Sequence, residues 1–483
     1  MTIKKYINKF AIALLATVTL FSCSEDKMDE INQNPNNPTE VASNLVLADL
    51  INRTAVQIAN GDFAFYASLY VEHFVGTHNQ FFQAEIRDDG QLTVSSTYNN
   101  SWNGAYTALR DSKDVIRICS EEGHEAGNTS NAGIAQVLMA YNLAILTDMC
   151  GDVPWSEALD PDEHMLPHLD KQEDIYKEIF LMIDDAIINL ETENNYANIG
   201  MYDILYQGQL DLWVKFAHGL KARLLMRQSH IDASVYDQVL EEIKLSFADA
   251  SEEAKYLYNG GSTINPYALL WGIRRQYGAS KSMHDMMTAN NDPRLGRYFI
   301  PNDHDDVTEL VLGANGQNEQ NQNLYGMSDY FNDRTYPTQF LSFHELKFLE
   351  AEALERKGQS GAEAATAAIK AAFIYADMEE GAQKAEEYIA TIDNLDIDRI
   401  MAEKYISSYQ SESIEAYNDF RRLKAMNGGN HPSYVHFLNP KEDKFPLRYT
   451  YGADDVNNNA NVREAYQKVN VYTDNVWWAG GQY

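Results

Sequence analysis

Positive charge is scarce in this chain. Its 38 lysines and arginines stand against 71 aspartates and glutamates, a formal net charge of −33. Nothing in that balance offsets repulsion by a phosphate backbone, so nucleic acid is excluded as a partner, and so is electrostatic attachment to anionic lipid. Cysteine is scarcer still, with three in the chain. Beyond Cys23 only Cys119 and Cys150 remain, too few for a disulfide framework, and both read as small buried apolar residues. Signatures of chemistry are missing as well. There is no phosphate-binding Gly-rich loop with Lys, no Gly-x-Ser-x-Gly elbow and no Cys-x-x-Cys pair. His344-Glu345 lacks the second His of a zinc protease helix. His73 with His78, and His164 with His168, have zinc-like spacing but no clear third ligand. The acidic loops Asp303-His304-Asp305-Asp306 and Asp454-Asp455 lack the full spacing and closing Glu of a calcium loop. Paired carboxylates for sugar hydrolysis carry no weight where acids are this abundant. No catalytic residue, metal or cofactor is expected, and the chain reads as a binder rather than an enzyme.

What is present begins at the N-terminus. Lys4, Lys5 and Lys9 precede an apolar run from Phe10 to Phe21, and no acid comes before Glu25. About twelve apolar residues are too few to cross a bilayer core, which takes roughly twenty. A basic start, a short apolar run and a small-residue end make a secretory signal over residues 1–22. Leu20-Phe21-Ser22-Cys23 is similar to a lipobox, which makes Cys23 the lipidation site and the new N-terminus. Loss of the three lysines takes the formal charge to −36. Residues 23–39 read as a polar tether, ending in turn-forming Asn-Pro pairs at Pro35 and Pro38. No later apolar run is read as long enough to span a membrane.

Residues 40–483 read as one all-α domain. Helical periodicity predicts helices over 41–59, 63–75, 96–118, 134–149, 174–190, 210–227 and 235–250, and again over 339–356, 362–378, 382–392, 397–408 and 413–426. Neighbouring helices with short links point to stacked hairpins of the tetratricopeptide type. Between them, residues 251–338 are rich in Gly, Asn, Pro and aromatics and read as a loop-rich insert. Its polar stretch from Gly313 is a long loop of the kind that often carries function.

Aromatic residues are the strongest binding signal. A sugar ring has an apolar C–H face that flat rings stack on, and its hydroxyls bond Asn, Gln and Arg. Three clusters in turn-rich segments are candidates. They are Phe81, Phe82 and Gln83, then Tyr267, Trp271, Arg274 and Tyr277, then Tyr325, Tyr330 and Tyr336. The competing expectation is that most of these rings pack the core. Trp102, Trp155 and Trp213 read as structural.

Ordered motifs over nearly the whole mature chain carry a resemblance. They include Asp29-Glu30-Ile31-Asn32-Gln33-Asn34-Pro35, Trp102-Asn103-Gly104-Ala105-Tyr106, Asp148-Met149-Cys150-Gly151-Asp152-Val153-Pro154-Trp155, and Trp213-Val214-Lys215-Phe216-Ala217. Asp292-Pro293-Arg294-Leu295, Leu341-Ser342-Phe343-His344-Glu345, Asp419-Phe420-Arg421-Arg422 and Val476-Trp477-Trp478 follow. With these the chain resembles the SusD/RagB family of outer-membrane nutrient-uptake lipoproteins, in its SusD-like branch. One departure is Tyr451-Gly452, where the family has Tyr-Pro with a Glu soon after; Asp454 or Asp455 stands in for that acid. The resemblance implies about four tetratricopeptide-like hairpins with a loop-rich ligand-binding face. It implies lipid anchoring at the outer membrane, facing outward, with Ser24-Glu25-Asp26 similar to a surface-export tag. It also implies a TonB-dependent barrel transporter as partner, over which the protein captures a glycan, or in some members a peptide. Arg421 and Arg422 are expected to pair inside the fold with acids such as Glu403 or Glu345. Two rival functions are a surface glycan hydrolase and a ligand-free scaffold of the transporter complex.

Overall fold

The computed structural model describes residues 40–304, 307–376 and 380–481. The signal peptide, Cys23 and the tether lie outside the described residues.

The helices begin and end where local chemistry dictates. α1 (Ser43–Arg53) runs on as a π-helical turn over Thr54–Ala59, and α2 spans Asp62–Tyr70. β1 (Phe74–Gly76) follows where periodicity alone predicts continued helix. α3 (Asn79–Glu85) and α4 (Asp89–Leu92) are short, and α5 (Asn99–Cys119) is long. α6 (Thr129–Cys150) starts with the Asn128 side chain accepting from the Asn131 N–H and stops at Gly151, whose φ of 75° favours glycine. By length and composition α6 is apolar enough to cross a membrane, contrary to the expectation that no later run is. Its most apolar stretch is 94% buried within the protein, so here it is the central core helix. β2 (Val153–Pro154) pairs with β3 (Leu169–Asp170), and then come α7 (Gln172–Glu191), α8 (Leu210–Arg227) and α9 (Val235–Leu245).

The insert is less loop-like than its composition implies. It holds β4 (Ala254–Tyr256), α10 (Pro266–Arg274), β5 (Tyr277–Ala279), α11 (Lys281–Ala289) and α12 (Leu295–Tyr298). These helices are short and set by caps rather than by period. The Asn265 side chain accepts from Tyr267 and Ala268 with Pro266 at the first turn, and Ser280 accepts from Met283. β6 (Thr338–Leu341) pairs with β4, so the predicted helix from 339 begins only at α13 (Phe343–Arg356). There the Ser342 side chain caps the helix, accepting from the N–H of Glu345. α14 (Ala362–Tyr375), α15 (Gly381–Ile389), α16 (Ile397–Ser407) and α17 (Ser413–Met426) follow. α18 (Ala453–Asn458) and α19 (Ala460–Lys468) close the tail, where no helix is predicted.

Four helical pairs make the array: α1 with α5, α6 with α7, α8 with α9, and α13 with α14. Each pair stacks on the next through α5–α6, α7–α8 and α9–α13 contacts. This is the tetratricopeptide-like, all-α architecture. Trp102 and Trp213 lie fully buried within it and Trp155 half-buried at its edge, while Cys119 and Cys150 are buried free thiols. The Trp102 indole donates to Asp455 (2.6 Å).

Buried polar contacts tie the helices to one another and, through Arg294, to the insert. Arg422 meets Glu352 (2.7 Å) and Asp419 (3.0 Å), and Arg421 donates to the carbonyls of Leu447 (3.0 Å) and Asp148 (2.8 Å). Glu345 instead pairs with Arg223 (2.8 Å), and Glu403 with Arg294 (2.9 Å). Both expected acids therefore belong to other arginines, because α13 and α16 turn them toward α8 and the insert. Burial opposes charge at Glu352, but the Arg422 and Arg356 guanidinium groups override it and hold its carboxyl well below the usual range.

Candidate functional site

The three aromatic clusters, scattered in sequence, converge around one long-range strand pair. β1 and β5 pair antiparallel, Gly76 opposite Tyr277. The Thr77 N–H extends the ladder to the Gln276 carbonyl (2.8 Å), and its hydroxyl reaches that of Arg275 (3.2 Å). The pairing sets the first turn of α3 beside the last turn of α10.

The rings, however, point inward. Phe81 stacks on Tyr277 (5.0 Å between centroids), and Trp271 on Phe331 (5.2 Å). Tyr267 stacks on Phe331 (6.3 Å), and Tyr330 on Tyr336 (4.2 Å). The Tyr325 hydroxyl accepts from the N–H of Glu319 (2.6 Å). Phe81, Tyr267, Trp271, Tyr277, Tyr325, Tyr330 and Tyr336 are all buried. They offer no free face for a sugar to stack on, because a large aromatic side chain gains most by leaving water. Of the ten candidates, Phe82 and Gln83 are half-buried and Arg274 is exposed.

Other residues join these three. α10 is apolar on two sides: Tyr267 and Trp271 face the core, while Leu269 and Ile273 are 45% and 69% exposed. The Gln322 amide donates to the Arg274 carbonyl, and the Gln320 amide meets His78 Nδ1 (3.2 Å). Arg275 lies 5.8 Å from the Trp271 ring centroid and pairs with Asp303 (2.7 Å). Burial pushes the Asp62 carboxyl up to about 6, while hydrogen bonds from Asn100 and the charge of Arg274 pull it down. The resulting face presents one aromatic edge, two aliphatic side chains, amides and charges of both signs. That mixture suits hydrogen bonding and apolar contact with a neutral polar ligand.

The long polar loop is clamped to this face. Asn315 donates to the Phe74 carbonyl (3.2 Å) and Asn318 to that of Gly76 (2.8 Å). Buried Glu85 accepts from the N–H groups of Gly316 (2.7 Å) and Gly76 (3.2 Å), and buried Glu72 from those of Leu438 (2.8 Å) and Asn439 (3.0 Å). Burial, with the nearby Glu72 charge, pushes the Glu85 carboxyl up to about 8. The folded state thus keeps a proton that the unfolded chain releases in the ordinary glutamate range. This stabilisation is full at acid pH and is lost as pH rises through about 8. Urea unfolding at pH 7 and pH 9 should show a loss of about 1 kcal/mol. The loss should shrink in Glu85→Gln, and an unchanged loss would rule Glu85 out as its source.

Elsewhere, hollows of about 530 Å³ beside Trp155 and about 440 Å³ beside α11 and α16 contain none of the ten candidates. Among the described residues no three His, Cys, Asp or Glu side chains are grouped to hold a metal ion. His73 is buried against the Tyr405 carbonyl (3.1 Å), and burial pushes it down to about 3. His164 and His168 both turn to Glu157 (3.9 and 2.8 Å).

Comparison with known proteins places this architecture. Residues 35–451 match the model of the SusD-like family described as starch-binding and associating with the outer membrane. A SusD/RagB family protein from Bacteroides thetaiotaomicron superposes with a TM-score of 0.85 at 36% identity, over 92% of this chain and 100% of that one. A chitin-binding SusD homolog from Flavobacterium johnsoniae gives 0.72 at 17% identity, over 90% and 98%, a likeness of fold. Another chitin-binding protein gives 0.73 at 21%, over 91% and 100%. No curated protein matches the sequence. By the family model spanning most of its length, the chain belongs to the SusD-like family of glycan-binding proteins associated with the outer membrane.

Proposed function

We propose that this protein captures a glycan at the cell surface and delivers it, unchanged, to a TonB-dependent barrel transporter, held at the outer membrane by lipid on Cys23. Family membership supports the glycan class and the location. The observation that carries the site is the convergence at the β1–β5 strand pair, where half-buried Phe82 and Gln83 and exposed Arg274 lie beside Leu269, Ile273 and Gln322. Phe82 supplies the ring edge and Gln83 and Arg274 the hydrogen bonds, while the buried rings hold these elements in place. Titration of the lipid-free protein against a glycan panel should find a ligand recovered intact. Phe82→Ala with Arg274→Ala should weaken that ligand about tenfold or more, as loss of two central contacts does. Unchanged affinity in a folded double variant would remove this face from the account.

A further inference from the structure

The chain enters the domain at α1, and the surface around that entry is unusually apolar. Ser43 donates through its backbone N–H (2.9 Å) and hydroxyl (2.5 Å) to Glu125, in the loop joining α5 to α6. The Tyr196 hydroxyl donates to the Ala126 carbonyl in that same loop (3.2 Å). The 3-10 turn Gly200–Tyr202 packs on α1. Together these bring Leu45, Tyr196, Met201, Tyr202 and Ile204 to one end of the domain, all exposed, with Met201 82% open.

The patch is held rigidly. Buried Asp203 accepts from the N–H groups of Leu205 (3.0 Å) and Gly208 (2.9 Å) and from the Trp213 indole (2.8 Å). Ile199 is buried in the core. A clamped loop therefore displays Met201 outward, and exposed apolar side chains gathered at one end in this way mark a contact.

The chain itself indicates what covers it. Residues 24–42 separate Cys23 from Ser43. A chain of that length spans ~65 Å at most. A lipid on Cys23 thus keeps this end near the membrane. We propose that the Leu45–Tyr196–Met201–Tyr202–Ile204 patch docks on the lipid surface, with Met201 entering the acyl boundary and the two tyrosines at headgroup level. The exposed acids around it, Glu121, Glu122, Glu191 and Glu193, select zwitterionic over anionic headgroups. This inference rests on the reading that Cys23 carries lipid.

The test uses the full lipidated protein on phosphatidylcholine vesicles, with an environment-sensitive fluorophore on Met201→Cys. A control label sits on Ile374→Cys in α14, 56% exposed. Cys119 and Cys150 are buried and leave the introduced thiol as the reactive one. Both proteins should co-sediment with vesicles. The label at 201 should shift to the blue and lose most of its emission to brominated acyl chains, while that at 374 should do neither. A water-exposed label at 201 on co-sedimenting protein would overturn docking alone. Shielding that appears only when the barrel transporter is added would assign the patch to protein and overturn the lipid contact. Failure to co-sediment would overturn the anchoring and the docking with it.

Discussion

Arg294→Met should lower the folding free energy by about 3–5 kcal/mol, the cost of leaving a buried carboxylate uncompensated. Arg294 is fully buried and bonds both oxygens of Asp292 (2.6 Å from Nη2 to Oδ2), Glu403 (2.9 Å) and the Ser407 hydroxyl (3.0 Å). Its guanidinium also lies 4.6 Å from the Phe373 ring centroid. Asp292 belongs to the insert, Phe373 to α14 and Glu403 to α16, so one side chain fastens the loop-rich side to the helical array. Met fills similar space but supplies no charge. Glu403 keeps Arg399 (2.8 Å), whereas Asp292 has no other ion pair among the described residues. Denaturant unfolding of the single variant and of Arg294→Met with Asp292→Asn would measure the coupling. The double variant should recover part of the loss. A single-variant cost below about 1 kcal/mol, the scale of a surface pair, would refute the fastening role.

Gly76→Ala should disable the candidate face with a smaller cost to the fold. A Cβ built on Gly76 would sit 2.0 Å from the carbonyl oxygen of Phe81, which is backbone and has no rotamer to yield. Relief requires α3 to move away from β1, carrying Phe82 and Gln83 with it. It also disturbs the Gly76 N–H to Glu85 and Asn318 to Gly76 carbonyl bonds that clamp the long loop. Overpacking of this kind costs about 1–3 kcal/mol. The helical array, built on α1, α5 to α9 and α13 to α14, should keep its far-ultraviolet dichroism while ligand affinity collapses. Native affinity in a folded Gly76→Ala protein would mean that the α3–β1 seam does not shape the site.

The sequence speaks clearly where burial is periodic. α8 and α17 begin and end where the apolar stripe predicts, because one face of each must leave water. It speaks less clearly where caps and pairing set structure. α10 and α11 are short and begin at Asn265 and Ser280, and β1 and β6 interrupt segments whose period reads as helix. The aromatic clusters were legible as a place but not as an orientation. Tyr267 and Leu269 are both apolar, and only packing against Phe331 decides which of them faces inward. Arg274 and Leu269 share the outer surface for the same reason. Buried arginines were legible as structural, but their partners were not, since any of several acids on neighbouring helices satisfies the same charge.

Capture without chemistry is expected at the β1–β5 face. The most direct measurement is calorimetric titration of a glycan into the lipid-free protein and into its Phe82→Ala, Arg274→Ala variant, with chromatography of the recovered ligand. Binding should be saturable, affinity at least about tenfold weaker in the variant, and the glycan unaltered. Equal affinity for both proteins, or release of shortened products, would contradict it.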